Sequence, residues 1–191
     1  MVRNAETDGP LLFTVGHSTR SLDELVNALR SQEITALVDV RRYPGSRRHP
    51  QFARATLSEA LGVAGIHYRH EEALGGRRSG RMHSPNGAWR NASFRGYADY
   101  ANTAPFQVAL ERVLEGAKHV PTAIMCAEAV PWRCHRRIIA DHAVLRGWHV
   151  VHVIETESRL DHEVHPHARR RKADGCVIYP PDQAAQQDLW G

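Results

Sequence analysis

The chain has 191 residues and a formal charge of +4, and 42% of its residues are hydrophobic. This length suits one domain with a sizeable core and is short for two. No apolar run approaches the ~18–20 residues that span a bilayer, and the polar N-terminus lacks the plan of a secretory signal, so we expect a cytoplasmic protein with no membrane partner. Three cysteines are an odd count for such a protein and argue against a disulfide framework.

The basic residues are concentrated in one part of the chain. Eleven of the 25 lie between positions 41 and 95, where only three residues are acidic. Such a concentrated positive field favours phosphates or nucleic acid as partners. Because 23 of the 25 are arginine, a bias that base composition can also produce, a merely solvated basic surface stays open as the alternative.

From the N-terminus, β and α patterns alternate. The apolar run 11–15 predicts a strand, and residues 21–32 carry leucine and valine at helical spacing. Ser21 and Glu24 have the spacing of a capping box at the start of this helix. The first two elements are therefore a strand followed by an amphipathic helix.

The alternation continues to residue 154. Further strands are predicted at 34–40, 66–70, 122–128 and 148–154, and further helices at 53–64, 94–102, 105–118 and 135–146. Continuous apolar strands between amphipathic helices are typical of a mostly parallel sheet covered on both faces. We therefore expect a single three-layer α/β sandwich with about five strands over residues 11–181, with tails at 1–10 and 182–191.

Two segments do not follow this alternation of strands and helices. Residues 71–93 are rich in glycine, arginine, serine and asparagine without periodicity, which predicts a long, exposed and mobile loop. Near the C-terminus, Asp174 and Gly175 suit the tight turn of a β-hairpin, which we interpret as an appendage to the domain.

Ligands of open parallel sheets collect beyond the carboxyl ends of the strands, where the strand order reverses. Three predicted strands end in polar residues. These residues are His17, Ser18, Asp39, Arg41, Arg42, Cys126 and Glu128. If the first and fourth strands are neighbours, all three strand ends meet in one crevice. Glu128, Cys126 and His17 are then the catalytic candidates, and Ser18, Arg41 and Arg42 are ligand-binding candidates.

The segment "MCAEAVPWRCHRR", residues 125–137, adds further candidates. Cys134, His135 and Arg136 open a predicted helix, where backbone N–H groups and the helix dipole favour an anion. We expect all three to bind a ligand, with an anion held between Arg41 and Arg136. The competing interpretation is that both arginines only neutralise buried carboxylates.

Metal binding, nucleophilic catalysis and general-base catalysis are alternative roles for residues of the same segment. Cys126 and Cys134 lack the CxxC-like pairing of a closed zinc site, so no metal ligand is assigned, although an open site that uses cysteine and histidine remains an alternative. Cys126 is either a nucleophile or a buried packing residue. Glu128 is either a general base or a salt-bridged carboxylate.

Five segments resemble successive blocks of domain-of-unknown-function family 488. They read "TVGHSTRSLDELVNAL", "LVDVRRYPGSRRHPQF", "LGVAGIHYRHEEALGGRR", "FRGYADY" and "MCAEAVPWRCHRRIIADHAVLRGW". The resemblance spans about residues 13–181 and implies a Rossmann-like α/β fold, with no established reaction. The motif positions that it carries over are His17, Ser18, Asp39, Arg41, Pro44, Cys126, Glu128, Cys134, His135 and Arg136. The stretch "AVPW" is more apolar than the family pattern.

Together these patterns predict that the crevice binds or processes a phosphate-bearing ligand, either a nucleotide or a nucleic acid. Aromatic residues within the basic region could stack on bases. They are Tyr43, Phe52, Tyr68, Trp89 and Phe94. The alternative is a thiol-dependent or metal-dependent enzyme that acts on a small substrate through Cys126, Glu128 and His17. The sequence identifies neither a cofactor nor an oligomeric state.

Overall fold

The computed structural model describes residues 9–45 and 48–182, so the predicted tails fall almost entirely outside the described residues. The strands of the main sheet are β1 (Leu11–Gly16), β2 (Ala36–Asp39), β3 (His67–His70), β4 (Thr122–Cys126), β5 (His149–Val153) and β6 (Arg159–Asp161). The α-helices are α1 (Leu22–Arg30), α2 (Arg54–Val63), α3 (Ala92–Ala101), α4 (Ala104–Ala117) and α5 (Arg136–Val144). Within the described part of the chain, no helix is long and apolar enough to cross a membrane.

The main sheet is mostly parallel, as predicted. Its strand order is β3-β2-β4-β1-β5-β6, and β6 alone is antiparallel, pairing with β5. The sequence did not predict β6, because its three residues are exposed and lack an apolar pattern. Only its pairing with β5, of Val153 with Arg159, His152 with Leu160 and Val151 with Asp161, defines it as a strand.

Helices cover both faces of this sheet. Helices α1 and α2 pack on one face against Phe13 and Leu37, whereas α3, α4 and α5 pack on the other against Leu12 and Val38. Because successive side chains of a strand point to opposite faces, both faces require apolar residues. This explains the continuous apolar runs of the sequence and confirms the three-layer sandwich.

The capping box at the start of α1 is present. The Ser21 hydroxyl accepts the Glu24 N–H at 3.2 Å, and the Glu24 carboxylate accepts the Ser21 N–H at 2.6 Å. Leu25 and Leu29 of α1 are buried against the sheet. A local sequence signal therefore fixes where the chain turns into the helix after leaving β1.

The C-terminal hairpin is also present. It consists of β7 (Arg169–Arg170) and β8 (Val177–Ile178), and Gly175 in its turn has a φ of +72°, which suits glycine. Tyr179, just after β8, is buried and donates a hydrogen bond to Asp141 of α5 at 2.9 Å. This contact attaches the hairpin to the main domain.

The loop at 71–93 is exposed in its middle and anchored at both ends. Leu74 and Trp89 are buried near its two ends. Asp99 of α3 accepts hydrogen bonds from the Ser84 hydroxyl at 2.6 Å and the Asn86 amide at 2.8 Å. The buried Asp99 carboxylate therefore holds the chain between the anchors close to α3.

Strands β1 and β4 are neighbours, and the chain leaves them on opposite faces of the sheet, towards α1 after β1 and towards α5 after β4. This divergence opens a crevice at their carboxyl ends. The loops touch at its base, where the N–H groups of His17 and Ser18 donate to the carbonyls of Cys126 and Ala127 at 3.0 and 2.9 Å.

Gly16 should be sensitive to a small side chain, because a Cβ at this position would overlap the carbonyl oxygen of Glu128. We expect Gly16→Ala to lower the free energy of unfolding by roughly 1–3 kcal/mol in urea denaturation. Gly62→Ala is the matched control, since a Cβ there meets no atom within 4 Å, and it should be neutral or slightly stabilising. Equal stability of Gly16→Ala and wild type would contradict this close approach.

Candidate ligand pocket

A pocket of about 710 Å³ lies at the carboxyl ends of β1, β2 and β4. It brings together eight of the nine site residues predicted from the sequence. They are His17, Ser18, Arg41, Arg42, Cys126, Glu128, Cys134 and His135. The ninth, Arg136, is not among the lining residues. Gly76, Arg77 and Phe94 add a further wall, of which the sequence analysis had named only Phe94, as a residue that could stack on a base.

Arg41 is held by a buried carboxylate. Its Nε lies 2.9 Å from Asp39 Oδ1, and Nη2 also donates to the Phe52 carbonyl at 2.9 Å. Arg41 is 6% exposed and Asp39 is fully buried. Tyr68 donates to the same carboxylate at 2.8 Å. Asp39 therefore neutralises Arg41, as the ion-network interpretation predicted for this residue.

His17 is neutral and has a partner on each ring nitrogen. Its Nε2 lies 3.2 Å from Arg41 Nη1, which can only donate, and its Nδ1 lies 3.0 Å from the Ser18 carbonyl. The ring stacks on Phe52 with centroids 4.1 Å apart. Burial lowers the pKa of His17 to about 4, and the charge of Arg41 adds to this effect. In this arrangement both ring nitrogens of His17 are engaged, so neither is free for the catalytic role that was predicted for this residue.

Arg136 does not reach the pocket, contrary to expectation. It is 1% exposed and donates to the backbone carbonyls of Glu128 and Ala129. It also contacts Thr14 Oγ1 at 3.2 Å and Cys134 Sγ at 3.5 Å. A buried guanidinium requires acceptors, and the folded loop after β4 provides them. Protein groups therefore occupy both guanidinium groups, which favours the competing interpretation that Arg41 and Arg136 stabilise the pocket wall.

A buried chain of hydrogen bonds extends from Arg136 across the sheet. Thr14 Oγ1 lies 2.7 Å from His152 Nδ1, His152 Nε2 lies 2.9 Å from His162 Nδ1, and His162 Nε2 lies 2.8 Å from Asp141 Oδ1. One orientation satisfies every pair: each group donates to the next, from the arginine to the aspartate. The chain therefore joins the pocket loop to β1, β5 and α5.

Glu128 is exposed at the rim of the pocket, with Val130 N–H 3.5 Å from its carboxylate. We expected a partly buried carboxylate paired with Arg41, Arg136 or His17. Arg136 instead binds the backbone carbonyl of Glu128, which leaves the side chain directed to solvent. Of the three catalytic candidates, Glu128 is thus the one with a solvent-accessible proton acceptor.

Cys126, Cys134 and His135 form a compact cluster on the pocket wall. The Nδ1 atom of His135 lies 3.7 Å from the sulfur of each cysteine. Its Nε2 lies 3.0 Å from the carbonyl of Val40, so Nε2 carries the proton and the lone pair of Nδ1 faces the sulfurs. Both cysteines are buried and His135 is half-buried. The sequence analysis left an open metal site of cysteine and histidine as an alternative, and the structure brings Cys126, Cys134 and His135 together without His17.

The two thiols differ in acidity. The hydrogen bond to Cys134, together with burial, raises the pKa of Cys126 well above its usual range. Burial also opposes ionisation of Cys134, but the bond from Cys126 and the charge of Arg136 hold its pKa well below the usual range. Arg136 Nε lies 3.5 Å from the Cys134 sulfur, which explains why Cys134 is the more acidic of the two thiols.

Three other arginines supply the positive charge of the pocket. Arg42, Arg77 and Arg133 line it and are at least partly exposed. Among the described residues, none of them has a carboxylate partner, and Glu128 is the single acidic lining residue. The exposed lining of the pocket is therefore positively charged.

A family model described as domain of unknown function DUF488 matches residues 21–143. The chain belongs to this family. The match runs from the start of α1 almost to the end of α5 and includes Arg41 and the Cys126–Cys134–His135 cluster, which confirms the resemblance seen in the sequence. No curated protein and no solved structure is significantly similar to the chain. Membership of the DUF488 family establishes no reaction, so the pocket itself must carry the functional argument.

Arg136→Lys should destabilise the protein. A lysine ammonium cannot replace a planar guanidinium that contacts four acceptors, so buried carbonyls would lose their donors. We expect a loss of roughly 2–4 kcal/mol in the free energy of unfolding, measured in urea. Arg137→Lys is the control on the same helix, where the guanidinium lies over the Trp89 ring, and it should cost less than about 1 kcal/mol. A similar loss in both variants would refute the special role of Arg136.

Stability should fall on acidification because buried histidines resist protonation. Burial lowers the pKa of His17 from 6.5 to about 4, and those of His142 and His152 to about 3. The unfolded chain binds these protons first, so the stability present above about pH 6.5 is lost as the pH falls towards 4. For His17 the full loss is about 3 kcal/mol.

Melting temperatures between about pH 7.5 and pH 4.5 test this effect. His17→Gln should flatten the pH dependence, because one histidine no longer takes up a proton on unfolding. A variant profile parallel to that of wild type would show that His17 is not the source.

Proposed function

We propose that the pocket binds a phosphate-bearing ligand, a nucleotide or the phosphate-linked end of a nucleic acid. The observation that carries this proposal is a set of three lining arginines, Arg42, Arg77 and Arg133, that have no carboxylate partner within residues 9–45 and 48–182. Guanidinium groups bind phosphate oxygens through charge-assisted, often bidentate hydrogen bonds. An excess of such donors around one cavity favours an anion with several oxygens.

The different surroundings of the five arginines in and around the pocket support the same proposal. Arg41 is neutralised by Asp39 and Arg136 by backbone carbonyls, so both help to shape the wall. The other three keep their charge facing the cavity. We therefore keep the predicted anion site but assign it to these three exposed arginines instead of the Arg41–Arg136 pair.

Size and aromatic content favour a nucleotide over inorganic phosphate. A volume of about 710 Å³ lies within the usual range for small-molecule sites. Tyr43, 62% exposed, and Phe94 line the cavity, where they can stack on a base. Phe52 and Trp89 are buried, and Tyr68 is bonded to Asp39, so these three of the predicted stacking residues do not face the ligand.

A second candidate function is thiol-dependent or metal-dependent catalysis on the bound ligand. The Cys126–Cys134–His135 cluster on the same wall favours it. In this proposal His135 takes the place predicted for His17, and Glu128 at the rim exchanges protons with the ligand. The two candidates share one pocket and differ in what happens after binding.

Calorimetric titration with inorganic phosphate, nucleoside monophosphates and short single-stranded oligonucleotides tests the binding proposal. We expect Arg42→Ala, Arg77→Ala and Arg133→Ala each to weaken binding about 5–10-fold, since each removes one charge-assisted contact. Arg159→Ala on β6 is a matched control outside the pocket and should bind like wild type.

Comparing these titrants also distinguishes a mononucleotide site from a nucleic-acid site. A nucleic-acid site should show stronger salt dependence than a mononucleotide site, because more phosphates are contacted. If folded wild type binds none of these ligands, or if Arg159→Ala weakens binding as much as the pocket variants, the proposal is overturned.

A further inference from the structure

The three ligand-type atoms of the cysteine and histidine cluster converge on one point. The sulfurs of Cys126 and Cys134 and a ring nitrogen of His135 all lie within 4.8 Å of one another. They come from two separate elements, the end of β4 and the start of α5, so the fold and not local spacing brings them together.

The distances match those of a tetrahedral metal site. With Zn–S bonds of about 2.3 Å and Zn–N bonds of about 2.05 Å, tetrahedral geometry separates sulfur and nitrogen by about 3.6 Å. His135 Nδ1 lies 3.7 Å from each sulfur. A zinc ion could therefore bind with little rearrangement of the side chains.

The tautomer of His135 is also the one that a metal requires. Its Nε2–H donates to the Val40 carbonyl at 3.0 Å, which leaves Nδ1 unprotonated and directed at the sulfurs. Histidines that bind metals usually donate their second N–H to a carbonyl or carboxylate in this way. Arg136 Nε, 3.5 Å from the Cys134 sulfur, provides a charge-assisted donor to a metal-bound thiolate.

We propose that Cys126, Cys134 and His135 bind a zinc ion whose fourth position faces the pocket. Two thiolates and one imidazole are a known ligand set for catalytic zinc, which keeps one position for water or substrate. All three residues line the cavity, so this position is open to a bound ligand. The absence of CxxC pairing argues against a closed structural site, and it does not argue against an open one.

The zinc ion would supply the cavity with a Lewis acid. It would polarise a ligand oxygen or lower the pKa of a bound water. Glu128 lines the same cavity and would be the acidic group available to take up a proton from such a water. Zinc binding does not require the phosphate ligand, so the metal site can be tested separately from the proposed function.

The test uses the full chain, reduced with a phosphine to exclude disulfides, incubated with Zn²⁺ or Co²⁺ and desalted. We expect about one zinc per chain, and for cobalt a thiolate-to-metal charge-transfer band together with the intense visible bands of a tetrahedral site. Cys126→Ser and Cys134→Ser should retain at least tenfold less zinc. Cys176→Ser, which removes the third free cysteine, should retain as much as wild type.

Thermal unfolding checks that the variants fold. X-ray absorption of the zinc-loaded wild type needs no variant, and should show two sulfur ligands at about 2.3 Å and one nitrogen ligand at about 2.0–2.1 Å. No metal retained by folded, reduced wild type would overturn the proposal. Oxygen and nitrogen ligands alone, or equal loss of zinc in Cys176→Ser, would overturn it as well.

Discussion

The buried guanidinium of Arg136 is the constraint on which the pocket depends. At 1% exposure it cannot be solvated, so the fold must supply acceptors around it. It takes them from the loop after β4, from Thr14 on β1 and from Cys134 at the start of α5. These are the segments that diverge at the strand-order switch, and one charge holds them together.

The same charge is connected through the neighbouring strands to a second buried group on its own helix. From Thr14 the hydrogen bonds continue through His152 and His162 to Asp141, a buried carboxylate five residues further along α5. Asp141 also accepts the hydroxyl of Tyr179 after the hairpin. The appendage, the edge of the sheet and the pocket loop therefore belong to one polar network, whose neutral histidines fit between a cation and an anion.

Burial divides the charged residues of the crevice into two groups. Asp39 neutralises Arg41 inside the wall, and burial, to which the charge of Arg41 adds, lowers the pKa of His17 and keeps its ring neutral. Arg42, Arg77 and Arg133 retain their charge at the surface of the cavity. Beside these arginines, the thiol of Cys134 and the imidazole of His135 are potential metal ligands. The pocket thus combines exposed positive charge with a compact cluster of two cysteines and a histidine.

The sequence by itself determined the framework of the domain. Apolar runs and capping residues gave the five parallel strands, the position of α1 and the hairpin, because these signals act between near neighbours in the chain. It also predicted that the ends of β1, β2 and β4 meet if β1 and β4 are neighbours, since parallel strands deliver their carboxyl ends to one edge of the sheet, and the strand order confirms this condition. Eight of the nine predicted site residues therefore line one pocket.

Only the tertiary structure decided how those side chains are used. Whether an arginine faces a ligand or a backbone carbonyl depends on burial and on partners distant in sequence, which is why Arg136 lies inside the wall. For the same reason the Glu128 side chain is exposed, and β6 exists only through its pairing with β5. His135 follows Cys134 directly, but its contact with Cys126 depends on how the chain between β4 and α5 folds back over the end of β4, which the sequence pattern alone does not determine.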